Sequence, residues 1–444
     1  MDLTRLISAS ASDAAQAIRS GEISSVQLVQ ACLARIRDVE PQVHAWQFLD
    51  EAHALAQARA RDAERSEGRA GGALHGVPVG IKDIIATADM PTENGTVLHA
   101  GRTPERDATV VAMLRAAGAV ILGKTVTTEC ATYTPGKTRN PHNPERTPGG
   151  SSSGSAAAVA ANMVPLALGT QTNGSVIRPA SFCGVYGFKP THGLVPRHGV
   201  LKLSRTLDTV GFFGRSLEDI ALIAEQCIGH DERDPDTRPR ARPPLQRTLA
   251  EEPLLAPRFA FVKTTLWERA DASTVEAFAR LTETLGVHCQ SYELPPATHG
   301  AVDWLRTIME AEMAANLEFE WERGREYLSA PLREQLMRGR EVRAVEYQKC
   351  LARSAQLNQG FDDLFDNFDA IVTPSAPGVA PPAATTGDPA FCSLWSLCGM
   401  PALNLPLMSG PQGLPLGVQV VGKRGSDARL LRSARWLVQS VHKH

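Results

Sequence analysis

Apolar positions near the start of the chain recur at helical spacing. Ile23, Val26, Leu28, Val29, Leu33 and Ile36 fall on roughly one face, behind the cap candidates Ser24 and Ser25. This pattern predicts a helix there, and a second, alanine-rich helix over Glu51 to Glu64, before Gly68 to Gly72 breaks the chain. The period then changes. Val77-Pro78-Val79-Gly80-Ile81-Lys82 reads as a short strand ending in a lysine, Asp107 to Ala117 as a helix closed by Gly118, and Ala119 to Leu122 as the next strand. Alternation of strand, helix and strand argues for an α/β sheet.

Arg139 to Ser155 is irregular, with prolines and glycines among polar residues. A helix is expected from near Ser155 through Ala161, a strand over Met163 to Leu168, and a tight turn over Gly169 to Gly174, with Ser175 just beyond it. Asp231 to Pro257, rich in Pro, Arg and Asp, reads as a surface connector. Long amphipathic helices are expected over Ala301 to Tyr327 and Glu341 to Phe365, and a strand over Ala370 to Thr373. The expected organisation is one large domain. Its parts are N-terminal helices (1–70), a catalytic region (71–230), the connector (231–257), and a C-terminal half (258–444) that completes the sheet and the substrate pocket.

Composition narrows the class. The 444 residues are 43% hydrophobic and 21% charged, as in ordinary globular proteins. A formal net charge of −2 supplies no basic field for nucleic acid or an anionic membrane, so neither is expected as a partner. The eight cysteines stand singly with no CxxC pair, which fits reduced thiols in a cytoplasmic protein. The first residues lack an apolar core of signal-peptide length. The longest apolar stretch, Ala156 to Leu168, is interrupted by Asn162 and Pro165 and is too short to span a bilayer.

Three segments carry candidate chemistry: Gly80-Ile81-Lys82-Asp83, Gly149-Gly150-Ser151-Ser152-Ser153-Gly154-Ser155, and Gly169-Thr170-Gln171-Thr172-Asn173-Gly174-Ser175. Each lies at a strand end or a helix mouth, where open α/β sheets bind their ligands. Gly/Ser clusters are most often linkers, but these are embedded between apolar elements. A phosphate loop would need GK[ST] after the glycines, which neither cluster has. Gly150 to Gly154 formally matches GxSxG, with Ser152 as nucleophile, but that elbow needs a strand directly before it. Asn140 to Pro148, with its three prolines, cannot be a central strand. The twelve histidines are scattered, no HExxH occurs, and no Cys/His group has zinc spacing, so no metal or other cofactor is expected.

The run from Gly149 to Pro190, GGSSSGSAAAVAANMVPLALGTQTNGSVIRPASFCGVYGFKP, resembles the signature of the amidase signature hydrolases. Gly76 to Ile84 (GVPVGIKDI) and Gly413 to Gln419 are similar to further segments of that family. GTQT-x-GSVIRPA and IKDII-x-TA-x-MPTE are most like its malonamidase-like members. The resemblance implies a single large domain: a central twisted mixed sheet covered by helices on both faces. It implies Ser175 as nucleophile, Ser151, preceded by a cis peptide bond, as relay, and Lys82 as base. It implies an oxyanion hole of backbone N–H groups from Thr172, Asn173, Gly174 and Ser175, and suggests a homodimer. The chain departs from the family at Gln171, where most members have Asp, and at Ile177, where most have Arg. Arg178, one residue on, is thought to meet a substrate carboxylate in malonamidase-like members.

These residues suit amide hydrolysis. A serine hydroxyl attacks only after a base removes its proton, and a lysine can be that base if burial depresses its pKa. A glycine-bearing turn lets backbone N–H groups approach the oxyanion. The expected reaction is hydrolysis of a linear amide of a small molecule. If Arg178 clamps a carboxylate by two parallel hydrogen bonds, an anionic amide such as malonamate fits. An apolar pocket lined from Trp304 to Trp321 would favour aryl or alkyl amides, esters or carbamates instead. The resemblance also extends to the amidase subunit of a tRNA-dependent amidotransferase, which works with partner subunits on glutamine. A catalytically silent scaffold is disfavoured, because all three catalytic side chains are present.

Overall fold

The computed structural model describes residues 3–69 and 71–443. Among them, eleven strands form one mixed sheet: β1 (Trp46–Leu49), β2 (Pro78–Lys82), β3 (Val120–Thr125), β4 (Leu166–Gln171), β5 (Tyr186–Lys189), β6 (Thr209–Gly214), β7 (Phe259–Val262), β8 (Cys289–Tyr292), β9 (Ala370–Pro374), β10 (Ala402–Ser409) and β11 (Pro415–Val421). Their order across the sheet is β1-β3-β2-β4-β6-β5-β10-β11-β9-β7-β8. Strands β3, β2 and β4 run parallel, the β6 to β9 span is antiparallel, and β9, β7 and β8 are parallel again.

Helices cover both faces. Val120 and Leu122 of β3 pack with Val29 and Leu33 of the helix Ser25–Val43 and with Ala156 to Val159 of the helix Ser153–Ala160. Ile121, between them, packs on the opposite side with Val110 and Leu114 of Thr109–Ala116 and with Ile220 and Ile223 of Leu217–Cys227. Successive side chains of a strand point to opposite faces, so a strand buried on both must be apolar throughout. The single α/β domain expected from the sequence is the architecture found. The first long helix begins where expected: Ser24 accepts from the Gln27 N–H and Gln27 bonds back to the Ser24 N–H, a capping box.

The departures have local causes. Strand β3 continues past Leu122 through Lys124, a buried lysine whose Nζ donates to Ile85 O and Thr92 Oγ1, both at 2.6 Å. Strand β4 begins after Pro165 and keeps Gly169, Thr170 and Gln171 in the ladder opposite Gly211, Val210 and Thr209, so the turn starts only at Thr172. The expected helix over Ala301 to Tyr327 breaks at Leu317 into Ala301–Asn316 and Glu318–Gly324. A further helix, Ala330–Glu341, is capped by Ser329. Within Asp231 to Pro257, a short helix, Leu245–Ala250, buries Leu245 and Leu249. No helix among the described residues is long and apolar enough to cross a membrane.

Candidate active site

Parallel strands β2 and β4 end at the same edge of the sheet, β2 in Lys82 and β4 in Gln171. The serine-rich segment is fastened between these ends by its own side chains. Ser152 Oγ donates to Thr170 O (3.1 Å) and accepts from Thr170 N (3.2 Å), while Ser155 Oγ donates to Leu168 O (2.7 Å). Ser153 Oγ reaches Val126 O (3.3 Å). Gly154 lets this segment approach β3, since a Cβ there would lie 2.3 Å from Ala45 O and 2.4 Å from Val126 N. Ser152 is wholly buried and tied to β4, and no strand leads into it, so the structure rules against the nucleophile-elbow geometry. The Gly150–Ser151 peptide bond is cis.

Ser151 is the serine of this group that faces the lysine. Lys82 Nζ donates to Ser151 Oγ at 2.7 Å and to Thr170 Oγ1 at 2.8 Å. The amine is fully buried, and loss of hydration holds its pKa well below the usual lysine range; the negative charge of Asp208 opposes that shift. Asp83, the next residue, turns away: it accepts from the Glu93 N–H and lies 3.9 Å from Lys124 Nζ.

Ser175 follows the turn after β4 and is partly exposed while its neighbours are buried. Among the described residues its hydroxyl makes no hydrogen bond, so the contact from Ser151 to Ser175 is not closed in this state. The N–H groups of Asn173, Gly174 and Ser175 likewise have no acceptor among the described residues. Gln171 shapes this turn. Its Oε1 accepts from Val176 N (2.8 Å) and Ile177 N (3.0 Å), and its Nε2 donates to Ser396 Oγ (3.0 Å). Asn173 is held by Ser393 Oγ on its Oδ1 (2.8 Å), by Tyr133 Oη beside its Nδ2 (3.2 Å), and by Ser396 on its carbonyl.

Arg178 is buried beneath the same turn. Its Nε donates to Thr386 O and its Nη2 to Gly150 O, each at 2.7 Å, while Nη1 has no partner among the described residues. This corrects the expected carboxylate clamp: the Nε–Nη2 edge that would grip a malonamate-like anion is already bound to main-chain carbonyls. A cavity of about 320 Å³ opens beside Asn173 and Tyr133, lined also by Met309, Glu310, Arg338 and Ser393. From the apolar stretch Trp304 to Trp321, Leu305 and Met309 reach this cavity. Ile308, Met313 and Leu317 belong to the core. Among the described residues no three His, Cys, Asp or Glu side chains gather as metal ligands.

Lys82, Ser151 and the turn from Thr172 to Ser175 are thus brought to one edge, as the sequence led one to expect. Thr170, Gln171, Tyr133, Asp208, Ser393 and Ser396 were not anticipated. Thr170 and Gln171 lay in the motif itself. The others come from distant segments that carry no local signal.

The amidase family model matches residues 27–431. The chain is 36% identical to the A-type subunit of glutamyl-tRNA(Gln) amidotransferase from Chloroflexus aggregans, over 97% of its own length and 96% of the relative's. It is 36% identical to the same subunit from Symbiobacterium thermophilum, over 96% and 95%. Among solved structures, native peptide amidase from Stenotrophomonas maltophilia superposes with a TM-score of 0.86 at 32% identity, covering 98% of this chain and 97% of that one. A chain described as part of "an unexpected vestigial protein complex" that "reveals the evolutionary origins of an s-triazine catabolic enzyme" superposes with a TM-score of 0.90 at 26% identity, covering 97% and 98%. These relatives overturn the expectation of a stand-alone hydrolase of a small anionic amide, homodimeric and remote from nucleic acid. The near-full-length matches among curated proteins are subunits of a tRNA-dependent amidotransferase, not malonamidases.

Proposed function

The chain belongs to the amidase family, and from that premise we propose that this amide-hydrolysing enzyme serves as the amidase subunit of a tRNA-dependent amidotransferase. The observation that carries the reading is likeness to such amidotransferase subunits over almost the whole of both chains, with no large segment left over on either side. Its partners are then the other subunits together with a glutamyl-tRNA, its amide substrate is glutamine, and its compartment is the cytoplasm. Eight free cysteines suit that compartment.

In this reading neutral Lys82 takes the proton of Ser151, which takes that of Ser175, and Ser175 Oγ bonds to the amide carbon. The oxyanion rests on the N–H groups of the turn from Thr172 to Ser175. The relayed proton returns to the amide nitrogen, the C–N bond breaks, and ammonia leaves. Water then cleaves the acyl-enzyme, giving the carboxylic acid and restoring the serine. What supports these roles is the 2.7 Å contact between Lys82 and Ser151, the burial of that amine, and the unpaired N–H groups of the turn. The open step between Ser151 and Ser175 closes as substrate enters, since catalytic hydrogen bonds often tighten only in the complex. The unpartnered Nη1 of Arg178 is the donor left for a substrate oxygen.

The test is co-expression with the remaining subunits from the same genome. The purified assembly should amidate glutamyl-tRNA(Gln) with glutamine, and Ser175→Ala should abolish that transfer. A chain that joins no such assembly and hydrolyses small amides alone at full rate would contradict the reading.

A further inference from the structure

When Lys82 accepts a proton, a full positive charge forms where the side chain is wholly buried. Its two hydrogen-bond partners, Ser151 and Thr170, are neutral hydroxyls. An ammonium without a counter-charge is strongly disfavoured in such a place. Asp83 is the nearest carboxylate in sequence, but it faces Lys124.

Asp208 is placed to answer that charge. It directly precedes β6, and Thr209 of β6 stands opposite Gln171 of β4, which sets Asp208 beside Thr172 at the start of the nucleophile turn. Its Oδ1 accepts from Thr172 Oγ1 at 2.6 Å, and its Oδ2 accepts from Leu203 N and Ser204 N at 2.9 Å each. Its main-chain carbonyl accepts from Arg197 Nη1 at 3.0 Å, and Arg197 is itself gripped by Asp234 and Asp236. A small cavity of about 10 Å³ is bounded by Thr170, Thr172 and Asp208. That is room for one water at most, so solvent screens little between the carboxylate and the amine.

We propose that Asp208 is a positioning residue for the proton relay, anchoring Thr172 and supplying the counter-charge for the ammonium that forms on Lys82. This rests on the Lys82–Ser151–Ser175 reading above. The groups bearing on the pair are few. Asp208 is the charged group that raises Lys82's proton affinity against burial, and the Thr172 hydroxyl, two N–H groups and Arg197 favour the ionised form of Asp208, whose carboxyl burial pushes up.

The experiment is the pH–rate profile of amide hydrolysis for wild type, Asp208→Asn and Thr172→Val, with Ser175→Ala as the background. Removing the negative charge should move the low-pH limb of kcat/KM acidward by about one pH unit and lower the plateau roughly tenfold. Thr172→Val keeps the charge, so it should lower the plateau and leave the limb in place. A variant that merely folds poorly loses rate at every pH without moving the limb. An unmoved limb in Asp208→Asn overturns the proposal, and should that variant not fold, a wild-type plateau in Thr172→Val does so. Residual turnover in Ser175→Ala would instead sink the relay reading itself.

Discussion

Four serines crowd residues 151 to 155, and their surroundings alone separate their roles. Ser152 and Ser155 bond the main chain of β4, while Ser151 faces the lysine. Ser151→Ala should therefore remove most activity with little change in melting temperature. Ser152→Ala should lower stability by about 1 kcal/mol, the scale of a lost hydrogen bond, and keep a larger share of turnover; kcat and thermal melts on both variants decide it. Gln171 makes a second case. Gln171→Ala leaves the N–H groups of Val176 and Ile177 without their acceptor, which should cost about 1–3 kcal/mol and slow hydrolysis by loosening the turn, as urea melts and kcat would show. Lys82, Ser151 and Ser175 were legible because they sit in one long motif. Gln171 was legible as a departure but not as a strut, because its partner Ser396 lies 225 residues away. Arg178 was misread for the same reason: Thr386, whose carbonyl it binds, is 208 residues distant.

Strand ends, not strand centres, were where hydrophobic patterning lost its hold. Apolar runs located β2, β3, β4 and β9, yet β3 and β4 both extend past the last apolar residue into Lys124-Thr125 and Thr170-Gln171. Buried polar side chains survive there because each finds partners that a hydropathy pattern cannot show. The break at Leu317 lacks even that hint, since neither Pro nor Gly marks it and Leu317 is buried. Close approach of elements is testable at Gly169 in β4. A Cβ there would stand 2.6 Å from Ser152 Oγ and 2.7 Å from the Phe213 ring, so Gly169→Ala should push the serine segment off the strand. The expected loss is roughly 1–3 kcal/mol, the usual scale of overpacking, together with a fall in kcat. Unchanged melting and activity would show that this contact yields freely.

For the molecule as a whole, buried ionisable groups shape the response to pH. Burial holds Lys124 and Lys189 at about 7 and Lys82 well below its usual range. The folded chain keeps these amines neutral where the unfolded chain protonates them, so the unfolded state binds more protons and stability rises with pH above about 7. Burial also pushes the thiols of Cys32, Cys392 and Cys398 up to about 12, and those of Cys130, Cys183 and Cys227 up as well. Unfolded thiols ionise near pH 9 while these stay protonated, so stability falls above about pH 9. Melting temperature should peak between the two; a steady decline from pH 7 would contradict this. The sheet and its two helical covers were visible in the alternation of patterns. The partner subunits were not, because a net charge near zero describes the chain's average and says nothing of its neighbours in an assembly. At the centre stands a buried, neutral amine activating one serine, and the rate at which a fluorophosphonate probe labels the protein as pH is varied tests it most directly. Labelling should fall on Ser175, accelerate through a single ionisation well below pH 10, and lose that acceleration in Lys82→Ala. Labelling at Ser152, or an identical pH profile without the lysine, would contradict it.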